Sequence, residues 1–313
     1  MRSRPTTENL PWLVAGVVFL ALLLILVWHF RQDAGPAQLL AAKASRVDLV
    51  GRMQLALASA SEAEKSAVLA ITDKDSQTFA DQARMATAEI ERERTELGTL
   101  LATGGTQRER VLLAEFSQAF ANLQHIDDEV LGLAVKNTNL KAYSLLFGPA
   151  ADTLAEMDAA LARVLAKRAA ESPEAKRAMP LAFGARIGIL RIQALLAPHI
   201  AEESDAKMDR MEASMSKEEM QVRKNLDGLV ALEKRVGDAD LATAASLFVR
   251  YGELKARILV LSRENTNVRS LALSLNQKRK AMILSLDALN ALKQAILDEP
   301  IACVTYGRPA SPR

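Results

Sequence analysis

Four arginines stand out among the groups that could do chemistry. Arg46 and Arg52 lie in SRVDLVGRMQLALA (45–58), and Arg186 and Arg191 in ARIGILRIQALLA (185–197), both strongly apolar stretches. A guanidinium among apolar neighbours needs a carboxylate partner, a polar subunit interface or an anionic ligand. Its planar fork donates two parallel hydrogen bonds to a carboxylate. Arg46, Arg52, Arg186 and Arg191 are therefore candidate ligand-binding residues, with pairing to an Asp or Glu of the same fold, or snorkelling to water, as the alternative.

Other reactive groups are sparse. His29, His125 and His199 are too scattered for a metal or catalytic cluster, and the single cysteine, Cys303, forms no internal disulfide and excludes a Cys-rich zinc site. Met208, Met211, Met215 and Met220 could suggest thioether ligation, but their helical spacing reads as pliable core. Neither GxGxxG nor GxxxxGK[ST] occurs. With no nucleophile–base pair and no metal constellation, the chain reads as a non-enzyme with no cofactor. Lys+Arg 40 against Asp+Glu 38 gives a net charge of +2, so no broad positive field points to nucleic acid.

The elements that must position these residues read as helices. Two stretches, 37–148 and 199–299, lack proline and are rich in Ala, Leu, Glu, Lys, Arg and Met, the strong helix formers. With only 2 Trp, 3 Tyr and 8 Phe, a β-sandwich or barrel is disfavoured. Thr106-Gln-Arg-Glu109 and Ser216-Lys-Glu-Glu219 have the form of capping boxes. Ser172-Pro173 and Gly237-Asp238 mark starts, Gly148-Pro149 an interruption and Glu299-Pro300 an end. The expected helices are 37–72, 75–103, 106–136, 138–169, 182–215, 217–235, 239–264 and 266–298. In the third, Phe116, Phe120, Leu123, Ile126, Val130 and Leu133 recur at intervals of three and four, a coiled-coil-type seam on one face. Short connections favour antiparallel neighbours.

Pro11–Phe30 carries no charge. Twenty residues at about 1.5 Å each span roughly 30 Å, the thickness of a bilayer core. Trp12 and Trp28 stand at its ends, where interfacial indoles belong. A cleaved signal peptide would have a shorter apolar region and a better cleavage site, so a single uncleaved transmembrane helix is expected, in contact with the lipid bilayer. Leu181–Ile200 is about as apolar but carries Arg186 and Arg191, each expensive inside a membrane, and reads as a buried helix of the soluble part.

The chain also repeats itself. Asn137-Thr138-Asn139 recurs as Asn265-Thr266-Asn267, and at the same spacing Phe120 falls on Phe248, Ile126 on Leu254, Val130 on Ile258 and Leu133 on Leu261. Matching the two arginine-bearing stretches pairs Arg46 with Arg186 and Arg52 with Arg191. The expected fold is all-α: an N-terminal transmembrane helix followed by tandem antiparallel four-helix-bundle repeats. The divisions are a cytoplasmic N-terminus 1–10, the span 11–30, a first repeat 36–170, a linker 171–181, a second repeat 182–299 and a disordered tail 300–313.

A signal anchor, a long first helix, the seam ending in Asn-Thr-Asn and an all-helical remainder resemble the four-helix-bundle sensor region of bacterial chemoreceptors, and the doubled form resembles their helical bimodular domain. Residues 199–212 (HIAEESDAKMDRME) and 62–70 (EAEKSAVLA) have the look of the family's first helices. The resemblance covers about residues 11–298 and stops before the second span, HAMP pair and signalling hairpin of a whole receptor. It implies a single-pass inner-membrane protein whose bulk is periplasmic and homodimeric through its bundle. It would bind a small solute such as an organic anion, or a periplasmic binding protein, for chemotactic signal transduction. The alternative is a membrane-tethered helical scaffold with no small-molecule ligand.

Overall fold

The computed structural model describes residues 36–167, 172–232 and 238–300. The segments 1–10 and 11–30, and the tail from residue 301, lie outside the described residues, and with them the expected membrane anchor. Among the described residues every regular element is helical: α1 (Pro36–Leu69), α2 (Asp73–Gly104), α3 (Gln107–Ala134), α4 (Thr138–Leu145), a π turn (Leu146–Ala150), α5 (Ala151–Ala166), α6 (Pro173–Ala201), α7 (Asp205–Ala231), α8 (Ala239–Glu264), α9 (Thr266–Leu273), a second π turn (Ser274–Lys278) and α10 (Arg279–Asp298).

Several helix starts follow the local chemistry. The Glu109 backbone N–H donates to Thr106 Oγ1 at 3.2 Å while the Thr106 N–H donates to Glu109 Oε2 at 2.8 Å, closing the capping box. Ser172 Oγ accepts from the Ala175 N–H at 3.0 Å, with Pro173 opening the helix. The first turns of α6 therefore occupy most of the stretch 171–181, where a linker was expected.

Two expected breaks are absent. Ser216 and Glu219 lie inside α7, where Ser216 Oγ donates to the Glu212 carbonyl at 2.9 Å. A spacing of three is shared by capping boxes and by neighbours on one helix face, so the pattern does not by itself place a start. The chain turns instead at 202–204, where Glu202 Oε1 accepts the N–H groups of Glu203 and Ser204 at 3.1 and 3.0 Å. Gly148-Pro149 widens its helix into a π turn rather than interrupting it. Proline is not the cause, because Ser274–Lys278 makes the same turn at the same spacing without one.

The described residues form two compact units, each drawn from separated stretches of chain. This interleaving differs from a division into consecutive halves at 171–181. The first unit takes residues 36–55, 90–117 and 286–300. Leu49, Met53, Ile90, Leu97, Leu101, Phe116, Leu289 and Leu292 are buried there. Lys43 Nζ donates to the carbonyls of Leu297 and Glu299 at 2.7 and 2.6 Å, satisfying acceptors that the end of α10 leaves open.

The second unit takes residues 56–89 and 118–285. Its main core joins Met157 and Leu161 of α5, Ile189, Ile192 and Leu196 of α6, Met215 and Val222 of α7, and Phe248, Tyr251 and Ile258 of α8. Helices α6 and α7 approach closely because α6 presents glycine. A Cβ on Gly188 would stand 2.6 Å from Val222 Cγ2.

At the junction of α3 with α4 and of α8 with α9, Asn137 and Asn265 adopt φ of 50° and 54°, the left-handed conformation that asparagine tolerates. Each starts the next helix, Asn265 also ending the one before, and both are buried. Behind them the two copies of Asn-Thr-Asn bind reciprocally. The N–H of Thr138 donates to Thr266 Oγ1 and that of Thr266 to Thr138 Oγ1; the N–H of Asn139 donates to Asn267 Oδ1 and that of Asn267 to Asn139 Oδ1, all at 3.1–3.2 Å. Asn139 Nδ2 donates to Asn265 Oδ1 at 2.7 Å and Asn267 Nδ2 to Asn137 Oδ1 at 2.9 Å. The left-handed asparagines, the eight-residue helices after them and the π turns after those all recur 128 residues apart.

Among the described residues one helix, α6, is long and apolar enough to cross a membrane by length and composition. Its inner side is buried through Ala178, Ala182, Ala185, Ile189, Ile192 and Leu196. Its outer side is apolar too: Met179, Phe183, Ile187 and Leu190 are 44–53 % exposed. The helix is thus less enclosed than the sequence implies, with only a third of its most apolar window buried.

Candidate functional site

All four candidate arginines meet carboxylates. In the first unit, Arg46 is buried and donates from Nη1 to Glu109 Oε2 at 2.8 Å and from Nη2 to Glu299 Oε2 at 2.6 Å. Glu109 is the same residue that closes the capping box, so Arg46 fixes a helix start and offers no free fork. Arg52 is half exposed, and its Nε lies 2.9 Å from Oε1 of the buried Glu93.

In the second unit, Arg186 and Arg191 point to opposite neighbours, as their five-residue spacing on a helix requires. Arg191 Nη1 reaches Glu218 Oε1 on α7 at 3.3 Å, and the arginine is largely exposed. Arg186 turns to α5, where Asp158 takes its fork from both sides: Nε donates to Oδ1, and Nη2 donates to Oδ2 at 3.0 Å. The Phe183 ring lies beneath the guanidinium, 5.5 Å from Cζ to the ring centre.

No two of the four arginines share a partner, and their pairing across the repeat does not hold. The turns after Leu69 and Ala201 are 132 residues apart, whereas Arg46 and Arg186 differ by 140 and Arg52 and Arg191 by 139. Arg46 binds Glu109 at the start of α3, while Arg186 binds a residue of α5. A slip of seven or eight residues is two helical turns and keeps the same face, so the apolar pattern matches in either register.

Arg186 stands at the edge of a cavity that combines an apolar floor with this charge pair. It has a volume of about 330 Å³ and lies between α5 and α6, lined by Ala151, Leu154, Ala155 and Asp158 on one side and Arg186, Ile189 and Leu190 on the other. The side chains of Arg186 and Asp158 are 30 % and 44 % exposed, so the pair can be reached from solvent. A carboxylate ligand would take the guanidinium fork in place of Asp158, and a hydrocarbon body would cover Leu154, Ile189 and Leu190.

Two further polar centres were missed in the sequence. His199, fully buried, places Nδ1 2.8 Å from Ser262 Oγ and Nε2 2.8 Å from Glu212 Oε1, while Ser262 Oγ donates to the His199 carbonyl at 3.0 Å. Arg263 Nε donates to the same Glu212 oxygen at 2.7 Å and, with His199, holds that carboxyl below the usual range against the opposing effect of burial. Ser262 is closed off from solvent, so the trio ties α6, α7 and α8 together and presents no nucleophile. His125 is exposed, and Met208 and Met215 are core residues.

The other centre joins Glu64 of α1, Asp127 of α3 and Lys278 of the second π turn, all buried. Its signal was present in the seam: Phe120, Leu123, Asp127, Val130 and Ala134 keep the three–four spacing with an acid at its centre. No protein-family model and no curated protein matches the chain.

Proposed function

We propose that this chain is a membrane-anchored sensory domain of chemoreceptor type, which binds a small solute carrying a carboxylate in the α5–α6 cavity. The observation that carries the reading is Arg186: a solvent-reachable guanidinium on an apolar floor, beside a cavity of about 330 Å³. That volume suits a small organic acid, and the fork geometry suits its carboxylate. Asp158 then acts as a gate that holds the fork until a ligand displaces it.

The finer architecture belongs to the same reading. Elements recurring 128 residues apart and meeting at the Asn-Thr-Asn clasp support two helical-bundle repeats. Residues 11–30 would anchor the chain, with the bundles in the periplasm and two copies pairing. The outer face of α6 supports such pairing, because Met179, Phe183 and Ile187 recur every fourth residue and stand exposed, as a partner helix requires. Ile187→Glu would then leave full-length protein monomeric in detergent; an unchanged dimer would place the contact elsewhere.

Thermal unfolding of the full chain with acetate, succinate and citrate tests the ligand. A compound at about 100 times its Kd stabilises by roughly 2.7 kcal/mol. The reading expects at least one shift, lost in Arg186→Ala and kept in Arg191→Ala. If no carboxylate shifts the protein, the second reading, a membrane-tethered docking scaffold, takes its place. That each of the four arginines already meets an internal carboxylate favours that alternative.

A further inference from the structure

The Glu64–Asp127–Lys278 cluster has no counterpart in the other half of the repeat. Lys278 Nζ donates to Glu64 Oε2 at 2.6 Å and lies 3.1 Å from Asp127 Oδ1. Glu64 Oε1 is buried with no hydrogen-bond partner among the described residues. At the matching positions 128 residues away, the first π turn ends in the buried Ala150, and Lys255 stands where Asp127 would. One copy therefore closes its π turn with an apolar residue. Replacing a buried ion pair by apolar groups is often neutral or stabilising. π turns inside helices are also frequent at functional positions.

The charge count is uneven, with two carboxylates and one ammonium. We propose that Glu64, Asp127 and Lys278 form a proton-responsive latch that draws α1, α3 and the second π turn together when Asp127 takes up a proton. Protonation leaves one carboxylate against one ammonium, and it gives the cluster a hydroxyl donor where Glu64 Oε1 is an unused acceptor. The groups acting on Asp127 are Glu64 from α1, Lys278 from the π turn and Asp128 on its own helix. Next to them α2 brings Ala80 and Ala83, packed on Leu131 of α3. Burial pushes the Asp127 carboxyl up to about 6, against the pull of Lys278 and with Glu64 and Asp128 adding to the rise.

The sign follows from linkage. The folded chain holds this proton more tightly than the unfolded chain, whose Asp titrates near 3.8, so stability from this group rises as pH falls from above 6 towards 4. The latch lies near the α1–α2 turn, which is held to the clasp by Asp73 through Asn137 Nδ2 at 3.0 Å and Lys141 Nζ at 3.1 Å. Acid would thus stiffen the seating of that turn. This inference goes beyond solute sensing and holds whether or not the Arg186 cavity binds a ligand.

The test is thermal unfolding of the full chain at pH 7.5 and 5.5, beside Asp127→Asn. The wild type should gain about 2 °C more on acidification than the variant does. An equal pH response in both proteins would overturn the latch. Should the variant misfold, carbon-13 titration of the wild-type Asp127 carboxyl decides: a midpoint near 6 supports the latch, and one below 5 removes it. A null ligand screen leaves both readouts untouched.

Discussion

Thr138 and Thr266 donate their backbone N–H groups to each other's hydroxyls at 3.2 and 3.1 Å, across 128 residues of chain. Their own hydroxyls stand 3.2 Å apart. Because the sequence is duplicated here, one set of bonds supplies both halves of the contact. The same duplication puts an asparagine just before each threonine, where the left-handed backbone redirects the helix. The clasp then reaches the α6–α7 turn, where Asn139 Nδ2 donates to the Ile200 carbonyl at 2.6 Å and Asn265 Nδ2 to the Glu202 carbonyl at 2.8 Å.

Removing one side of the clasp should therefore expose the other. Thr138→Val and Thr266→Val each leave a buried N–H unpaired, at about 1–3 kcal/mol per variant. The double variant should cost less than the sum, since both share the same bonds. Urea unfolding of the full chain measures this, and strict additivity would mean that the two sites do not interact.

Arg46 is predicted to be a structural residue. Arg46→Met strands the buried Glu109 carboxylate, and breaking one side of a buried pair costs about 3–5 kcal/mol. The loss should appear in unfolding midpoints and leave any carboxylate affinity of the folded protein unchanged. A fold that stays intact while ligand binding disappears would restore Arg46 to the site.

Gly188→Ala tests how tightly α6 and α7 pack. The added methyl would meet Val222 Cγ2 at 2.6 Å, and a β-branched side chain in a filled core gives way poorly. Destabilisation of about 1–3 kcal/mol is expected, against less than about 0.5 kcal/mol for Gly252→Ala, where a methyl meets open space. Equal effects would deny the close approach.

Glu212 sets a pH dependence opposite to that of Asp127. Arg263, with His199, holds its carboxyl below the usual value of 4.5, so its contribution is present above that pH and is lost as pH falls through the lower folded value. Urea midpoints between pH 7 and pH 3 should fall less steeply in Glu212→Gln than in the wild type. Parallel slopes would show that the Arg263 pairing contributes nothing to the acid limb.

Much of the scaffold was legible because helices write themselves as composition and periodicity. The Thr106 box and the Ser172-Pro173 start act through near neighbours in sequence, and the Asn-Thr-Asn repeat is visible as identical letters although its bonds span 128 residues. What stayed hidden depends on partners far along the chain. Glu109 at the start of α3 and Glu299 just past the end of α10 converge on Arg46, and Asp158 lies 28 residues from Arg186. The register of the arginine stretches was hidden for another reason, since a two-turn slip preserves every apolar face. Asp127 was written in the seam, but an acid at a seam position declares itself only once Lys278 is seen opposite.

Isothermal titration calorimetry reads occupancy of the Arg186 cavity itself. With whichever of acetate, succinate or citrate shifts the wild-type melting curve, the account predicts one site per chain, weakened at least tenfold in Arg186→Ala, strengthened in Asp158→Asn and unchanged in Arg191→Ala. Saturable binding that is indifferent to both Arg186→Ala and Asp158→Asn, or no binding of any of the three acids, would contradict it.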